Sequence, residues 1–231
     1  MSTLQQTLGL SRQPIAVGFF DDAPAGVEQW SSGAVPAGCS FWSEAGNGRT
    51  FYTVPSDHYN CAVGAYTHNI PQPAFRSTAL NDTIGFMVES GYLQMAEVPM
   101  IPVLPGTPQY VAYGPAEEHR FRADVVVIAA RPAAMMLIYE AALRSGVGNI
   151  ATPALGRPGC AVLPMALNTG ASAFSFGCKG NRTFTGLPEE EMYLAIPGAK
   201  WDAVVEALPT IAGANATMEA HYKQHEATVR G

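Results

Sequence analysis

Four cysteines, Cys39, Cys61, Cys160 and Cys178, are the residues of this chain best suited to chemistry. Three follow a glycine (Gly38, Gly159 and Gly177) and the fourth follows Asn60. Glycine and asparagine most readily adopt a positive φ, so a chain that turns there can aim backbone N–H groups at a sulfur. The most distinctive stretch is Ser175-Phe176-Gly177-Cys178-Lys179-Gly180-Asn181-Arg182, which follows an apolar run, sets two glycines around a cysteine and ends on a cation. The leading expectation is that all four thiols converge on one bound metal centre. Soft thiolates favour an iron–sulfur cluster or zinc, and a four-cysteine set suits a 4Fe–4S cluster. The chain has no C-x2-C pair, which excludes zinc ribbons, zinc fingers and simple ferredoxin loops by pattern. A dispersed site stays open, because ligands need to meet in space and not in sequence.

Rival chemistry uses the same residues. N–H groups aimed at a sulfur also lower a thiol pKa, so Cys178 or Cys61 can act as a nucleophile with His58 as base. His58 and His68 flank Cys61, and either can serve as a further ligand, proton donor or base; a plain surface or core histidine is the competing account. Phe41, Trp42, Tyr59 and Tyr66 crowd the first two cysteines and can shield haem, another tetrapyrrole or a small molecule, although core aromatics need no such role. Free cysteines are also ordinary small hydrophobes. Arg157 and Arg182 each follow a glycine-containing turn near a cysteine. Arg182, four residues past Cys178, is expected to fold back on the site, favour cofactor retention and raise the reduction potential. His221 and His225 share a helix face at metal-ligand spacing, but in a polar tail that reads as solvated. Gly146 to Ala151 matches G-x-G-x-x-A, yet follows a helix and not a strand, so a dinucleotide loop is rejected.

The elements that must position these side chains can be read from the apolar pattern. Strands are expected at 15–20, 50–54, 110–113, 123–129, 171–176 and 192–196. Helices are expected from Cys39 to Ala45, around Cys61 to Tyr66, over 75–92 with Leu80, Ile84, Met87 and Val88 on one face, and from Pro132 to Arg144. A further helix runs from Trp201 to Leu208, is broken or kinked at Pro209, and is followed by a polar helical tail. Alternating strands and helices give an α/β layered sheet with flanking helices, taken as one domain over residues 1–231. The repeated Cys-Ala-Val at 61–63 and 160–162 suggests two similar halves, with Cys61 matching Cys160.

The bulk numbers fit that picture. Of 231 residues, 48% are hydrophobic and only 14% charged, as in a well-buried globule. The net charge is −6 and no Lys/Arg cluster stands out, which argues against nucleic acid as a partner. The opening residues carry neither a cationic nor an apolar leader, and the most apolar run, 125–143, is interrupted by Arg131-Pro132 and carries Glu140. No membrane span is expected. A cytoplasmic setting follows, in which cysteines act as ligands, nucleophiles or buried thiols and not as disulfides; the partner would be a redox protein or a small-molecule substrate.

Several of these motifs together resemble the uncharacterised family catalogued as domain of unknown function number 169. The resemblance rests on Pro14-Ile15-Ala16-Val17, Cys39 before an aromatic helix, Asn60-Cys61-Ala62-Val63-Gly64, Cys160-Ala161, Thr169-Gly170, the stretch around Cys178, and Pro197. It spans roughly residues 12 to 208, leaving the tail from Ile211 outside. It implies a shared fold and a shared site around the cysteines, and it brings no established reaction.

Overall fold

The computed structural model describes residues 3–118, 120–147 and 154–230. In chain order it contains α1 (Thr3–Leu8), β1 (Ile15–Phe20), α2 (Ser40–Gly46), β2 (Phe51–Thr53), α3 (Ala62–Thr67), α4 (Ala79–Glu89), β3 (Tyr110–Pro115), β4 (Val125–Ala130), α5 (Pro132–Arg144), β5 (Ala154–Leu155), α6 (Val162–Thr169), β6 (Ala173–Ser175), α7 (Lys179–Thr185), β7 (Met192–Pro197) and α8 (Trp201–Arg230). The strands form one mixed seven-stranded sheet in the order β2-β3-β1-β4-β7-β6-β5, parallel only between β5 and β6. Helices cover both faces, so the fold is α/β.

Strand alternation decides which face each residue serves. Ile15, Val17, Val125, Val127, Tyr193 and Ala195 enter one core with Phe41, Trp42, Val162 and Leu163 of α2 and α6. Ala16, Val126, Ile128, Leu194 and Ile196 point the other way, into a second core with α1, α5 and α8. β4 is buried at every position, which is why it reads as a continuous apolar run. The cysteines lie on the side of the first core: Cys39 and Cys160 are inside it, Cys61 packs against it, and Cys178 starts α7, which packs on α2.

The sheet is built twice. Outward from the central β1–β4 pair run β1, β3, β2 on one side and β4, β7, β6 on the other. The seam pairs Ile15 with Val127, Ala16 with Val126 and Val17 with Val125, a register symmetric about Ala16–Val126. β1 pairs from Ile15↔Pro115 to Phe20↔Tyr110, and β4 pairs from Val125↔Pro197 to Ala130↔Met192. β2 begins opposite Tyr113 and β6 opposite Ala195, in each case two residues before that proline. Topology and register are those of an internal duplication with a pseudo-two-fold axis through the Ala16–Val126 pair. The strand order then matches Cys39 with Cys160, each before the helix that leads to β2 or β6, and Cys61 with Cys178, each starting the helix that follows. The pairing of Cys61 with Cys160 expected from Cys-Ala-Val is therefore corrected: α3 and the turn at Gly159–Ala161 pack against each other and are not equivalents.

Local differences from the sequence reading have identifiable causes. α8 runs unbroken through Pro209: its first two turns are fixed by burial of Trp201, Val204 and Leu208 against α5, and packing there outweighs the roughly 3 kcal/mol a helix-interior proline costs. α7 replaces an expected turn, with Cys178 capping its start through sulfur and Gly186 in the left-handed region (φ 63°) ending it. Gly146, two residues past α5, takes a positive φ of 73°, as a helix-ending glycine does; positions 148–151 of the G-x-G-x-x-A match lie outside the described residues.

Candidate functional site

All four cysteines stand at helix starts. Cys39, Cys61 and Cys178 are the residues immediately preceding α2, α3 and α7; Cys160 lies in the 3-10 turn Gly159–Ala161 that leads into α6. First-turn N–H groups are short of backbone acceptors, and here sulfur takes two of them. Gly64 N–H donates to Cys61 Sγ at 3.3 Å, and Asn181 N–H to Cys178 Sγ at 3.4 Å. The Thr67 hydroxyl lies 3.3 Å from Cys160 Sγ while also donating to Gly64 O at 2.9 Å. The side chain of Asn181 bears on Cys39.

The glycines that flagged these cysteines work in a different way from that expected. Of Gly38, Asn60, Gly159 and Gly177, only Gly177 has a positive φ (72°). Gly38 and Gly159 serve close approach. A Cβ on Gly159 would stand 3.0 Å from the Cys178 backbone nitrogen and 3.3 Å from Gly177 Cα, so two cysteine turns from different parts of the chain touch backbone to backbone. A Cβ on Gly38 would meet His58 Nδ1 at 3.2 Å, and one on Gly64 would meet Cys61 Sγ at 3.0 Å.

The four thiols line a single cavity of about 340 Å³. Every pair of them is close enough that a charge on one would disfavour a charge on another. Burial, reinforced by Cys61 and Cys178, pushes the Cys39 thiol up to about 12. Burial likewise raises Cys61, against the N–H groups of Gly64 and Gly38, and raises Cys160 well above the usual thiol range. Without a bound cation these three thiols hold their protons at neutral pH. Among the described residues, no three Cys, His, Asp or Glu side chains are grouped closely enough for one metal ion.

The rest of the cavity wall is mostly apolar. Leu80, Thr83, Ile84 and Met87 line it from α4; three members of the helix face read from the sequence thus meet the cavity while Val88 does not, and no residue of α4 is fully buried. Leu93, Ile101 and Phe184 extend the wall. α4 and the turns on either side of it are tied down at their edges: Arg76 donates to Asn60 Oδ1 at 2.9 Å, Arg157 to Glu97 at 3.1 Å, and the Tyr92 hydroxyl accepts from Lys179 N–H at 3.0 Å.

The histidines and arginines divide. His68 lines the cavity, fully buried, with neither ring nitrogen in a hydrogen bond of full geometry; burial lowers its pKa to about 4, against the weaker raising effect of a contact with the Gly64 backbone. His58 does not line it. Its Nε2 pairs with Thr53 Oγ1 at 2.7 Å, its ring stands edge-on to His68, and burial with His68 nearby lowers it to about 3. Arg157 lines the cavity. Arg182 does not: its guanidinium donates to the carbonyls of Phe176 (2.7 and 3.0 Å), Pro188 (2.8 Å) and Glu191 (2.8 Å), fastening the Cys178 turn to the loop before β7. Tyr66 lines the cavity, while Phe41 and Trp42 pack in the core beneath it. His221 and His225 are exposed on α8. Sequence reasoning missed Asn181, Thr67 and Tyr113, whose buried hydroxyl has no partner and whose pKa rises through burial and the nearness of Cys160 and Cys39. Nothing in the local sequence marks Thr67 or Tyr113, and although Asn181 lies in the distinctive stretch around Cys178, its bearing on Cys39 comes from a tertiary neighbour.

Among the described residues no helix is long and apolar enough to cross a membrane. No curated protein and no solved structure matches the chain. One family model does, over residues 3–207, a span that takes in all four cysteine turns and every strand of the sheet. The chain therefore belongs to the family DUF169, described as Uncharacterised ArCR, COG2043.

Proposed function

We propose that Cys39, Cys61, Cys160 and Cys178 hold an iron–sulfur cluster of the 4Fe–4S type, and that the protein transfers electrons or carries out a redox reaction at it. The observation that carries this reading is the convergence of four thiols, two from each half, on one cavity. Three further features support it. Backbone N–H donors already face two of the sulfurs, Cys61 and Cys178, and such bonds stabilise and tune thiolate-bound centres. Thiols with raised pKa values need a cationic centre to become thiolates, as metal ligation provides. A zinc ion, with Zn–S bonds of about 2.3 Å, would need its four sulfurs about 3.8 Å apart, whereas a 4Fe–4S cluster binds each sulfur to a different iron and tolerates a wider spacing.

The cysteine-nucleophile reading has less support. A nucleophile needs a lowered pKa or an adjacent base, whereas burial raises Cys61 and His58 is turned to Thr53 away from the cavity lining. The haem reading is disfavoured by size, since about 340 Å³ lies at the lower end of the roughly 300–1,000 Å³ range of small-molecule pockets. A reducing compartment such as the cytoplasm is the setting this reading implies, with a redox protein or a small molecule as partner. The test is the visible spectrum of protein purified without oxygen. A broad brown absorption that bleaches with a reductant is expected. A sharp Soret band would favour haem, and a colourless protein that takes up no iron on anaerobic reconstitution would overturn the proposal.

A further inference from the structure

We propose that the same cavity is a binding site for a small uncharged molecule with an apolar body and a single hydroxyl or carbonyl group, and that the imidazole of His68 is its hydrogen-bonding partner. The inference rests on reading the cavity as the functional site and goes on to name what enters it. His68 is 1% exposed, lines the cavity, and has no ring nitrogen in a hydrogen bond of full geometry; the Gly64 backbone makes one weak contact with the ring, which leaves the other nitrogen open to a ligand. An unbonded buried polar group is unfavourable unless something supplies the bond. Water alone is a poor match for the walls, which α4 furnishes with Leu80, Ile84 and Met87 and the chain after it with Leu93 and Ile101.

Charge narrows the class. Among the described residues lining the cavity, Arg157 alone carries a permanent charge. Its guanidinium is already paired with both Glu97 oxygens at 3.1 and 3.3 Å and stacked 5.0 Å over the Tyr92 ring. A carboxylate or ammonium ligand would enter without a counter-charge, which desolvation penalises heavily, so the ligand is neutral. The imidazole offers one donor and one acceptor, so a hydroxyl or a carbonyl can be met.

The probes are 4-ethylphenol, 4-ethylbenzoate and ethylbenzene, titrated by ligand-observed NMR against the full chain purified without oxygen. The phenol is expected to bind at least about tenfold more tightly than the benzoate. His68→Phe should weaken the phenol about fivefold, the worth of one hydrogen bond, and leave ethylbenzene within about twofold. Ile84→Trp, which fills the space, should abolish binding of both. Equal or tighter binding of the benzoate, no binding of the phenol, or an unchanged phenol affinity in His68→Phe would overturn the proposal. If His68→Phe does not fold, the phenol-to-benzoate ratio in the natural sequence decides alone. Iron and sulfide are assayed in the same samples: phenol binding without iron would sink the cluster reading and keep this one, and iron without phenol binding would do the reverse.

Discussion

On adjacent strands of the first half, Phe51 and Tyr113 stand opposite each other with ring centroids 5.6 Å apart. At the matching pair in the second half stand Ala173 and Ala195. Around Phe51 gather Trp30 and Phe41, whereas the second half packs Val162, Leu163 and Ala166 of α6. Volume is thus held on opposite sides of the seam by different chemistry, over strands whose register is the same. The turns differ too. Cys61 follows β2 by eight residues, through a 3-10 turn carrying His58, while Cys178 follows β6 by three. Four residues past Cys61 stands Ala65, fully buried; four past Cys178 stands Arg182, spread over three carbonyls. One backbone plan therefore presents a cysteine at each of four helix starts, and each half secures its turns by its own means.

If the halves contribute equivalently to one centre, removing any ligand should have the largest effect. Cys39→Ser and Cys160→Ser should lower iron affinity by more than about tenfold, as should Cys61→Ser and Cys178→Ser, with similar losses within each matched pair. Iron retained through desalting reads this out. Full retention in either member of a pair would break the symmetry of the site.

Acid should expose an asymmetry next. His58 and His68 both belong to the first half, and their folded-state pKa values, about 3 and about 4, lie below the unfolded value of about 6.5. Above that value both states are neutral and neither histidine affects stability. Below it the unfolded chain binds protons that the folded chain refuses, so stability falls as pH drops, by about 1.4 kcal/mol per unit for each histidine until its folded pKa is reached. Urea unfolding between pH 7.5 and 4.5 measures the slope, which His68→Phe should reduce. A slope that His68→Phe leaves unchanged would contradict the burial argument.

The matched glycines sharpen the comparison further. Gly159→Ala drives a Cβ to 3.0 Å from backbone and should destabilise by about 1–3 kcal/mol. Gly38→Ala meets the side chain of His58 at 3.2 Å, which can shift, and should cost under about 1 kcal/mol. Urea midpoints decide, and the reverse order would contradict the close-approach account. Arg182→Met should have the smallest effect on the centre and a local effect on stability, about 1–2 kcal/mol from hydrogen bonds lost to carbonyls. A drop in iron affinity as large as that of Cys178→Ser would restore the direct electrostatic role expected from sequence.

What could be read from the chain follows from how local each signal is. The bounds of β1 and α5 are legible in the sequence because a continuous apolar run between turn residues, and a proline at a helix start, act within a few residues. The four cysteines could be picked out by type and setting, yet the reason for their glycines was misread: the demand at Gly159 comes from the Cys178 turn, which no local pattern reveals. α7 was hidden because Lys179-Gly180-Asn181 reads as a turn, and its cap is a thiol. The two-residue β5 is set by pairing with β6, not by its own residues. Cys-Ala-Val misled because three residues of likeness carry less weight than strand order, which is a tertiary fact.

The central claim is that four thiols from two halves hold one cluster, and stoichiometry tests it most directly. Protein purified without oxygen, or reconstituted anaerobically and desalted, is assayed for iron and acid-labile sulfide per chain. A 4Fe–4S centre predicts about four of each, with all four cysteines protected from alkylation. About one metal ion and no sulfide, or four freely alkylated thiols with no iron, would contradict it.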